Sequence, residues 1–347
     1  MTVYVLGAGA SCHAGYPLAK SMGSQLFSWM KKQSNAAGFE SRYPTTARFL
    51  EDLLGSVGNI EDLFTKMQEL VADGENGTSE QRAMRTVVAN ERGVFINALR
   101  SWFAEIRQQG VAEAYRRFAR EIVSPGDCII TFNYDVSLDR ELRLAGKFEA
   151  GDGYGFPIET LPLNSATKIL KLHGSASWLA LMFAGITSGP FQFQPGNVLG
   201  QRPVIGKDEF AFLGYSDASD PAFPRGGAAL PVMIMPTRSK EFFFGGNTGV
   251  EYVEFWDSLW RQASEALRRA DRVSICGYSM PSADQRALEL LLRVARKDAE
   301  VVVASGSDTP NIVKQYRESG YSKAKAADEV LFEKWVDSSV RSTAAVA

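Results

Sequence analysis

Two side chains with complementary chemistry each follow a short apolar run in this sequence. The amide of Asn133 follows Cys128–Phe132, and the imidazole of His173 follows Ile169–Leu172. An amide can orient a water molecule or bind a hydroxyl group, whereas an unperturbed imidazole titrates near pH ~6.5 and can accept a proton. If both runs are parallel strands, the two side chains lie at the carboxyl edge of one sheet, where sites in α/β proteins gather. The pair predicts a site that activates a water molecule or a hydroxyl group; a structural, hydrogen-bonded histidine is the alternative interpretation of His173.

A glycine-rich turn follows the apolar run Val3–Leu6. It reads Gly7-Ala8-Gly9-Ala10-Ser11, and its glycines allow the backbone to bend sharply and approach a diphosphate without a Cβ in the way. N–H groups at the start of the following helix can then bind the negative charge. The match to GxGxxG is incomplete, because Cys12 stands at the third glycine position and no acidic residue ends a second strand about 20 residues on. The turn predicts dinucleotide binding, and a plain tight turn between strand and helix remains the alternative.

Other polar residues near these runs have more than one interpretation. Asp135 could line the pocket or cap the helix that follows it, and Asp284 is expected to begin or cap a helix after Pro281. His13 is a poorer candidate base than His173 and would contact a phosphate or the loop itself. Arg238 and Lys240 could reach a phosphate, although a solvated loop is the favoured interpretation.

Composition and charge exclude several classes of protein. The chain has 347 residues, of which 45% are hydrophobic and 22% charged, as in globular proteins. The net charge of -2 gives no general basic excess for nucleic-acid binding. The three cysteines lack CxxC spacing, so neither a disulfide framework nor a metal site is expected. The apolar start Met1–Leu6 is too short for a signal peptide or a membrane span, and we expect a cytoplasmic protein.

Apolar runs alternate with helical patterns, which predicts an α/β fold with a Rossmann-like parallel sheet flanked by helices. Besides the runs already named, strand candidates are Val232–Met235, Arg272–Cys276 and Glu300–Ala304, and late helix candidates are Val253–Ala270 and Ala283–Arg296. We expect one domain over residues 1–320, with a helical insertion at about 40–121 and an irregular Gly- and Pro-rich insertion at about 184–229. Residues 321–347 are expected to form a partly frayed C-terminal extension.

Several short stretches together resemble the sirtuin (silent information regulator) superfamily, in its prokaryotic sirtuin-like branch from NAD-consuming anti-phage systems. They span residues 7 to 284, and they are Gly7–Ser11 with Gly15-Tyr16-Pro17-Leu18-Ala19, Thr131-Phe132-Asn133-Tyr134-Asp135, Lys171-Leu172-His173-Gly174-Ser175, Pro231–Thr237 with Lys240, and Gly277-Tyr278-Ser279-Met280-Pro281 with Asp284. The resemblance implies that Asn133 and His173 are catalytic. It implies that NAD is bound by Gly7, Ala8, Gly9, Ala10, Ser11, Pro17, Asp135, Gly277 and Ser279.

Departures from the family's protein deacylases direct this expectation toward hydrolysis. The four zinc-binding cysteines and a zinc ribbon are missing, Phe132 replaces the signature Gln, and Leu18-Ala19-Lys20 replaces the Asp-Phe-Arg of the deacylase loop. The resemblance therefore implies an NAD glycohydrolase, the effector of an anti-phage system, with NAD as substrate and no metal. It further implies a homo-oligomer or a partner such as an ATPase or nuclease subunit. A non-catalytic NAD or ADP-ribose sensor is the alternative, and an NAD-dependent deacylase is less favoured.

Overall fold

The computed structural model describes residues 1–55, 58–73, 77–109, 112–157, 162–181, 210–212, 229–234 and 250–344. The strands within these ranges are β1 (Thr2–Leu6), β2 (Cys128–Thr131), β3 (Lys168–Lys171), β4 (Gly174–Leu181), β5 (Phe210–Phe212), β6 (Ala229–Met233), β7 (Arg272–Cys276), β8 (Glu300–Ala304) and β9 (Ala324–Ala326). The helices within them are α1 (Ala19–Lys31), α2 (Tyr43–Leu54), α3 (Ile60–Asp73), α4 (Ser79–Gln109), α5 (Glu113–Arg117), α6 (Ser137–Leu144), α7 (Ala150–Gly153), α8 (Val250–Arg269), α9 (Gln285–Arg293), α10 (Thr309–Glu318) and α11 (Phe332–Ala344).

A six-stranded parallel sheet forms the centre of the fold, in the order β3-β2-β1-β7-β8-β9. The apolar residues of β1, β2, β7 and β8 are buried, as expected for strands covered by helices on both faces. The predicted Rossmann-like α/β class is confirmed. From β1 the chain first adds β2 and β3 on one side and later β7, β8 and β9 on the other, so the order reverses between β1 and β7. In open parallel sheets the carboxyl edge at such a reversal is where ligands bind.

The apolar run Val232–Met235 was expected to be a further buried parallel strand, and this expectation is wrong. The strand β6 ends at Met233 and pairs antiparallel with β4, which also pairs with β5, in a separate three-stranded sheet. The reason lies at Gly174, whose φ of 83° turns the chain directly after β3 into β4 and leaves no crossover helix. A short apolar run indicates burial but not the direction of its pairing partner.

The segment expected to be a helical insertion contains α2, α3, α4 and α5. Helices α1 to α4 enclose an apolar cluster of their own, with Leu26, Leu50, Leu63 and Phe95 among its fully buried members. The central sheet has a second cluster, which includes Val5, Ile130 and Ile275. None of the helices in the described part of the chain combines the length and apolarity that a membrane span requires.

The residues expected to form a C-terminal extension contain the edge strand β9 and the helix α11. Helix α11 places Phe332, Trp335 and Val336 in the apolar cluster of the central sheet. Of the irregular insertion expected at about 184–229, only β5 and the first residue of β6 lie within the described residues, and Arg238 and Lys240 lie outside them.

Candidate functional site

Four neighbouring strands bring the candidate residues to one edge of the sheet. Gly7 follows β1, Asn133 lies two residues beyond β2, His173 lies two residues beyond β3, and Gly277 follows β7. Thr131 and Lys171 are the last paired residues of β2 and β3, so Asn133 and His173 each lie two residues beyond the end of adjacent parallel strands. The expectation that His173 lies at the carboxyl end of a parallel strand is therefore confirmed.

The glycine turn packs directly against the loop that follows β7. A Cβ on Gly7 would lie 2.5 Å from Tyr278 Cα, one on Gly9 would lie 2.8 Å from Gly277 Cα, and one on Gly277 would lie 2.1 Å from the amide nitrogen of Ala10. The Gly9 N–H donates to the Gly277 carbonyl (2.8 Å), and the Ala10 N–H donates to the Gly7 carbonyl (2.9 Å). The close approach of two loops thus requires these glycines, and the amides of Gly9 and Ala10 are engaged within the protein.

The remaining residues of the turn differ in exposure. Ala8 is half-buried, whereas Ala10 is fully buried in the apolar cluster of the sheet. Residues Ala8–Ala14 form a 3-10 helix that ends at Gly15, and Pro17 is buried just before α1. Ala8 and Gly9 are therefore the residues of the turn that reach the surface beside the carboxyl edge.

Ser11 is the centre of a buried hydrogen-bond network. Its hydroxyl donates to Asp135 Oδ2 (2.7 Å), lies 2.7 Å from the hydroxyl of Tyr115, and accepts from Asn133 Nδ2 (2.9 Å). Tyr115 was not singled out from the sequence, because its position in α5 is distant along the chain from every candidate motif. The network joins the glycine turn to the end of β2 and thereby fixes their relative position.

The side chain of Asn133 has one defined orientation. Its Nδ2 donates to the Gly7 carbonyl (2.8 Å) and to Ser11 Oγ. A backbone carbonyl can only accept, so the amide nitrogen must face Gly7 and the opposite orientation of the amide is excluded. Oδ1 of this half-buried residue is consequently the atom turned away from the glycine turn, where it can accept a hydrogen bond from water or a sugar hydroxyl.

Asp135 uses both carboxylate oxygens inside the protein. Besides the Ser11 contact, its Oδ1 accepts the N–H of Ser137, the first residue of α6, at 3.1 Å. The N-cap residue of α6 is Val136, so Asp135 binds the start of this helix from one position before the cap. Burial raises the pKa of Asp135, and the neighbouring Lys171 opposes this shift. The ammonium of Lys171 is itself buried and binds the Asp135 carbonyl (2.6 Å) and Asp139 (3.3 Å).

His173 lies beside the carboxylate of Asp284, which belongs to the loop between β7 and α9. Its Nε2 lies 3.1 Å from Asp284 Oδ2, and the hydroxyl of Tyr278 donates to the same oxygen at 3.2 Å. The imidazole packs on the Phe132 ring (4.9 Å between centroids), which stacks on Tyr278 (4.3 Å, 17°). Because Gly7 has no side chain, Tyr278 can pass over β1 and reach Phe132. The three aromatic rings and Asp284 therefore form a closed unit across the carboxyl ends of β3, β2, β1 and β7.

The environment of this unit is buried and acidic. The side chains of His173 and Asp284 are 7% and 2% exposed. Burial raises the pKa of Tyr278 far above its usual range, so its hydroxyl stays protonated and donates to Asp284; the charges of Asp284 and Glu61 act in the same direction. Burial, together with the charges of Asp284 and of Glu61 at the start of α3, also raises the pKa of Tyr134.

The loop after β7 is conformationally restricted. Met280 has a φ of 52°, which is uncommon outside glycine, and it precedes Pro281. This bend buries Met280 and leaves Ser279 exposed. Ser279 is therefore placed where a ligand at the carboxyl edge could meet its hydroxyl.

His13 lies apart from this unit. Its ring stacks on Phe332 (5.6 Å) and meets the edge of Tyr115 (4.7 Å), and burial lowers its pKa. Packing against two aromatic rings is a structural role for His13. No group of three or more His, Cys, Asp or Glu side chains is placed to hold a metal ion among the residues that the structure describes.

Comparisons with known proteins give similarity at the level of solved structures. No protein-family model matches the chain, and no curated protein matches it. A histidine-to-asparagine mutant of a Sir2 homologue in complex with ADP-ribose is 15% identical with a TM-score of 0.41, covering 100% of this chain and 94% of that chain. Sir2 bound to an acetylated peptide is 14% identical with a TM-score of 0.41, covering 99% and 93%. At these identities and TM-scores, the chemistry has to be argued from this chain's own side chains.

Proposed function

We propose that this chain is an NAD glycohydrolase, which binds NAD as its substrate and cleaves it to nicotinamide and ADP-ribose. The observation that carries the proposal is that Asn133 and His173 each lie two residues beyond the end of adjacent parallel strands, β2 and β3. One is an amide with its acceptor oxygen directed away from the glycine turn, and the other is an imidazole held by a carboxylate. Both lie at the carboxyl edge of the sheet, on the β2–β3 side of the strand-order reversal, and α/β sheets bind ligands at this edge.

Cleavage of NAD needs no general acid to protonate the leaving group, but it needs a nucleophile positioned at the ribose C1′. Nicotinamide departs from NAD as a neutral molecule, because its ring is cationic in NAD and takes up the electron pair of the broken C1′–N bond. The ribose carbon becomes oxocarbenium-like, as in other glycosidic cleavages, and a water oxygen forms the new bond to C1′. In our proposal Asn133 Oδ1 orients that water and His173 takes its proton, so NAD and water give nicotinamide, ADP-ribose and a proton.

The rest of the dinucleotide extends over the glycine turn. The segment that binds the diphosphate and ribose is formed in this proposal by Gly7, Ala8, Gly9, Ala10 and Ser11, by Gly277 and Ser279, and by Pro17 and Asp135. Ala8, Gly9 and Ser279 have the exposure that direct contact needs. The buried Ser11 and Asp135 act through the network that holds Asn133.

Burial of His173 and Asp284 supports a regulated enzyme. With 7% and 2% of their side chains exposed, substrate needs a local opening before it meets the imidazole. We propose that oligomerisation, or a partner such as an ATPase or nuclease subunit, provides this opening. A glycohydrolase that is held inactive until triggered suits the effector of an anti-phage, abortive-infection system.

The same burial favours one alternative, a non-catalytic sensor that binds NAD or ADP-ribose and signals to a partner. The two functions differ in turnover. A sensor binds the dinucleotide and leaves it intact, even when its partner is present.

The decisive experiment measures nicotinamide release from NAD and binding of NAD and ADP-ribose by the purified chain. Nicotinamide release is also measured after co-expression with neighbouring genes. We expect release in the activated state and a loss of at least about 100-fold in Asn133→Ala and in His173→Ala, since each removes a group that acts on the nucleophile.

The matched control is Asn35→Ala, which removes an exposed amide in the turn after α1, outside the proposed site, and should keep full activity. Full activity in both site variants would refute the assignment of Asn133 and His173. Tight binding without release, with the partner present, would establish the sensor. The absence of both binding and release would exclude both functions.

A further inference from the structure

Asp284 is the N-cap residue of α9, but its carboxylate does not bind the N–H groups of that helix. It is the residue before α9, where an aspartate carboxylate usually accepts an N–H of the first helical turn. Here the side chain makes no such bond, and the first turn is closed by the backbone of Asp284 instead. The carboxylate oxygen Oδ2 lies 3.1 Å from His173 Nε2 and accepts a hydrogen bond from the hydroxyl of Tyr278 (3.2 Å).

The surroundings make this pairing strong and directional. Asp284 is buried, and charge-assisted hydrogen bonds strengthen when water is removed. Tyr278 holds the carboxylate, Phe132 supports the imidazole, and Phe132 stacks on Tyr278, so each member of the unit is fixed by two others. A carboxylate placed at Nε2 also selects the tautomer in which Nε2 carries the hydrogen and Nδ1 keeps the lone pair.

We propose that Asp284 is a positioning residue for His173: it fixes the imidazole with Nδ1 as the basic nitrogen and stabilises the imidazolium that forms when the attacking water loses its proton. This inference rests on the proposed NAD glycohydrolase function. The proton moves from water to Nδ1 while the water oxygen bonds C1′ and nicotinamide departs with the pair of the broken C1′–N bond. Asp284 keeps its charge and does not touch the substrate.

The variant Asp284→Asn tests the role, with Asp308→Asn as matched control. Asp308 also precedes a helix, α10, without a side-chain cap bond, but it is exposed. We expect Asp284→Asn to lower kcat on the order of 10²–10⁴-fold with little change in KM, because orientation and charge stabilisation act on the reacting state. Asp308→Asn should leave both constants unchanged.

A spectroscopic measurement separates this inference from the proposed function. The chain has two histidines, His13 and His173, so imidazole ¹⁵N spectra contain two sets of signals, which a His13→Gln variant assigns. We expect His173 with hydrogen on Nε2 in the wild type, and loss of this fixed tautomer in Asp284→Ala. The alanine variant is needed because the amide oxygen of Asp284→Asn could still accept a hydrogen bond from Nε2 and so preserve the tautomer, whereas alanine has no acceptor.

Each result has a defined meaning. The positioning role would be overturned if the His173 spectra were unchanged in both Asp284 variants, or if kcat were unchanged in both. NAD cleavage by the wild type would in that case still support the proposed function. A fixed tautomer that depends on Asp284, in a protein that neither binds nor cleaves NAD, would instead refute the function and leave a purely structural pair.

Discussion

At the residue scale, Asp135 offers a test of the buried network beneath the glycine turn. Burial raises its pKa above the ordinary aspartate value near ~3.9, so the folded protein binds this proton more tightly than the unfolded chain. Its contribution to stability is therefore fully present below the unfolded pKa and is lost as the pH rises through the raised folded pKa. Asp135→Asn does not titrate, and its amide nitrogen can still meet Ser11 Oγ.

We therefore expect the difference in Tm, Asp135→Asn minus wild type, to increase as the pH rises from about 4 toward neutral. Thermal unfolding of both proteins across that range measures the difference, and effects of all other titrating groups cancel. A difference that decreases with rising pH would show that the ionised carboxylate stabilises the fold, contrary to the burial argument.

Residue types and local position were enough to find Asn133 and His173, because each follows an apolar run that becomes a buried strand. Their partners were harder to find. Asp284 resembles an ordinary helix cap in sequence, and only the fold brings it below the imidazole. The ion pair of Lys171 and Asp139 had one signal, a charged residue inside a buried run, but sequence alone does not name its partner.

At the element scale, the glycines are explained by contact between the loops after β1 and β7. Gly277 has a φ of 63°, and a Cβ there would overlap the backbone at Ala10, which cannot move as a flexible side chain could. Gly277→Ala should thus combine the cost of a left-handed backbone, about 1–2 kcal/mol, with a backbone clash. We expect a loss of more than about 4 kcal/mol, or failure to fold.

The control Gly146→Ala separates the two costs. Gly146 has a similar φ of 69° with nothing within 4 Å of the added Cβ, so we expect only the backbone cost. Denaturant unfolding of both variants gives the comparison. Equal losses would mean that the two loops can separate freely, and the fixed geometry argued for the site would then be wrong.

Strands β1, β2, β3, β7 and β8 of the central sheet were predictable because runs buried on both faces are continuously apolar, whereas the edge strand β9 is mostly exposed and gave no such signal. The small antiparallel sheet was not, since the turn at Gly174 and the pairing of β4 with β6 depend on contacts between distant segments. Helix α8 was close to expectation because its apolar spacing repeats along the element, whereas α9 is shorter than the expected Ala283–Arg296.

At the scale of the whole molecule, the C-terminal helix packs against the segment that follows the first strand. Helix α11 packs against the 3-10 helix Ala8–Ala14 and against α5 through Phe332, whose ring meets those of His13, Tyr115 and Phe118. Tyr115 in turn binds Ser11. A segment that the sequence suggested was a partly frayed extension therefore lies one contact away from the network that holds Asn133.

Removing the Phe332 ring should test this connection between the C-terminal helix and the site. Phe332 is 2% exposed, so Phe332→Ala is expected to cost about 3–5 kcal/mol of unfolding free energy through lost burial and a residual cavity. The adjacent Leu331 is 51% exposed, and Leu331→Ala should change stability by less than about 0.5 kcal/mol. Because the cavity opens beside Tyr115 and His13, the imidazole ¹⁵N signals of His13 should shift in Phe332→Ala but not in Leu331→Ala. If Phe332→Ala unfolds at the same denaturant concentration as Leu331→Ala, helix α11 does not stabilise the glycine turn, and the turn would depend on the β7 loop alone.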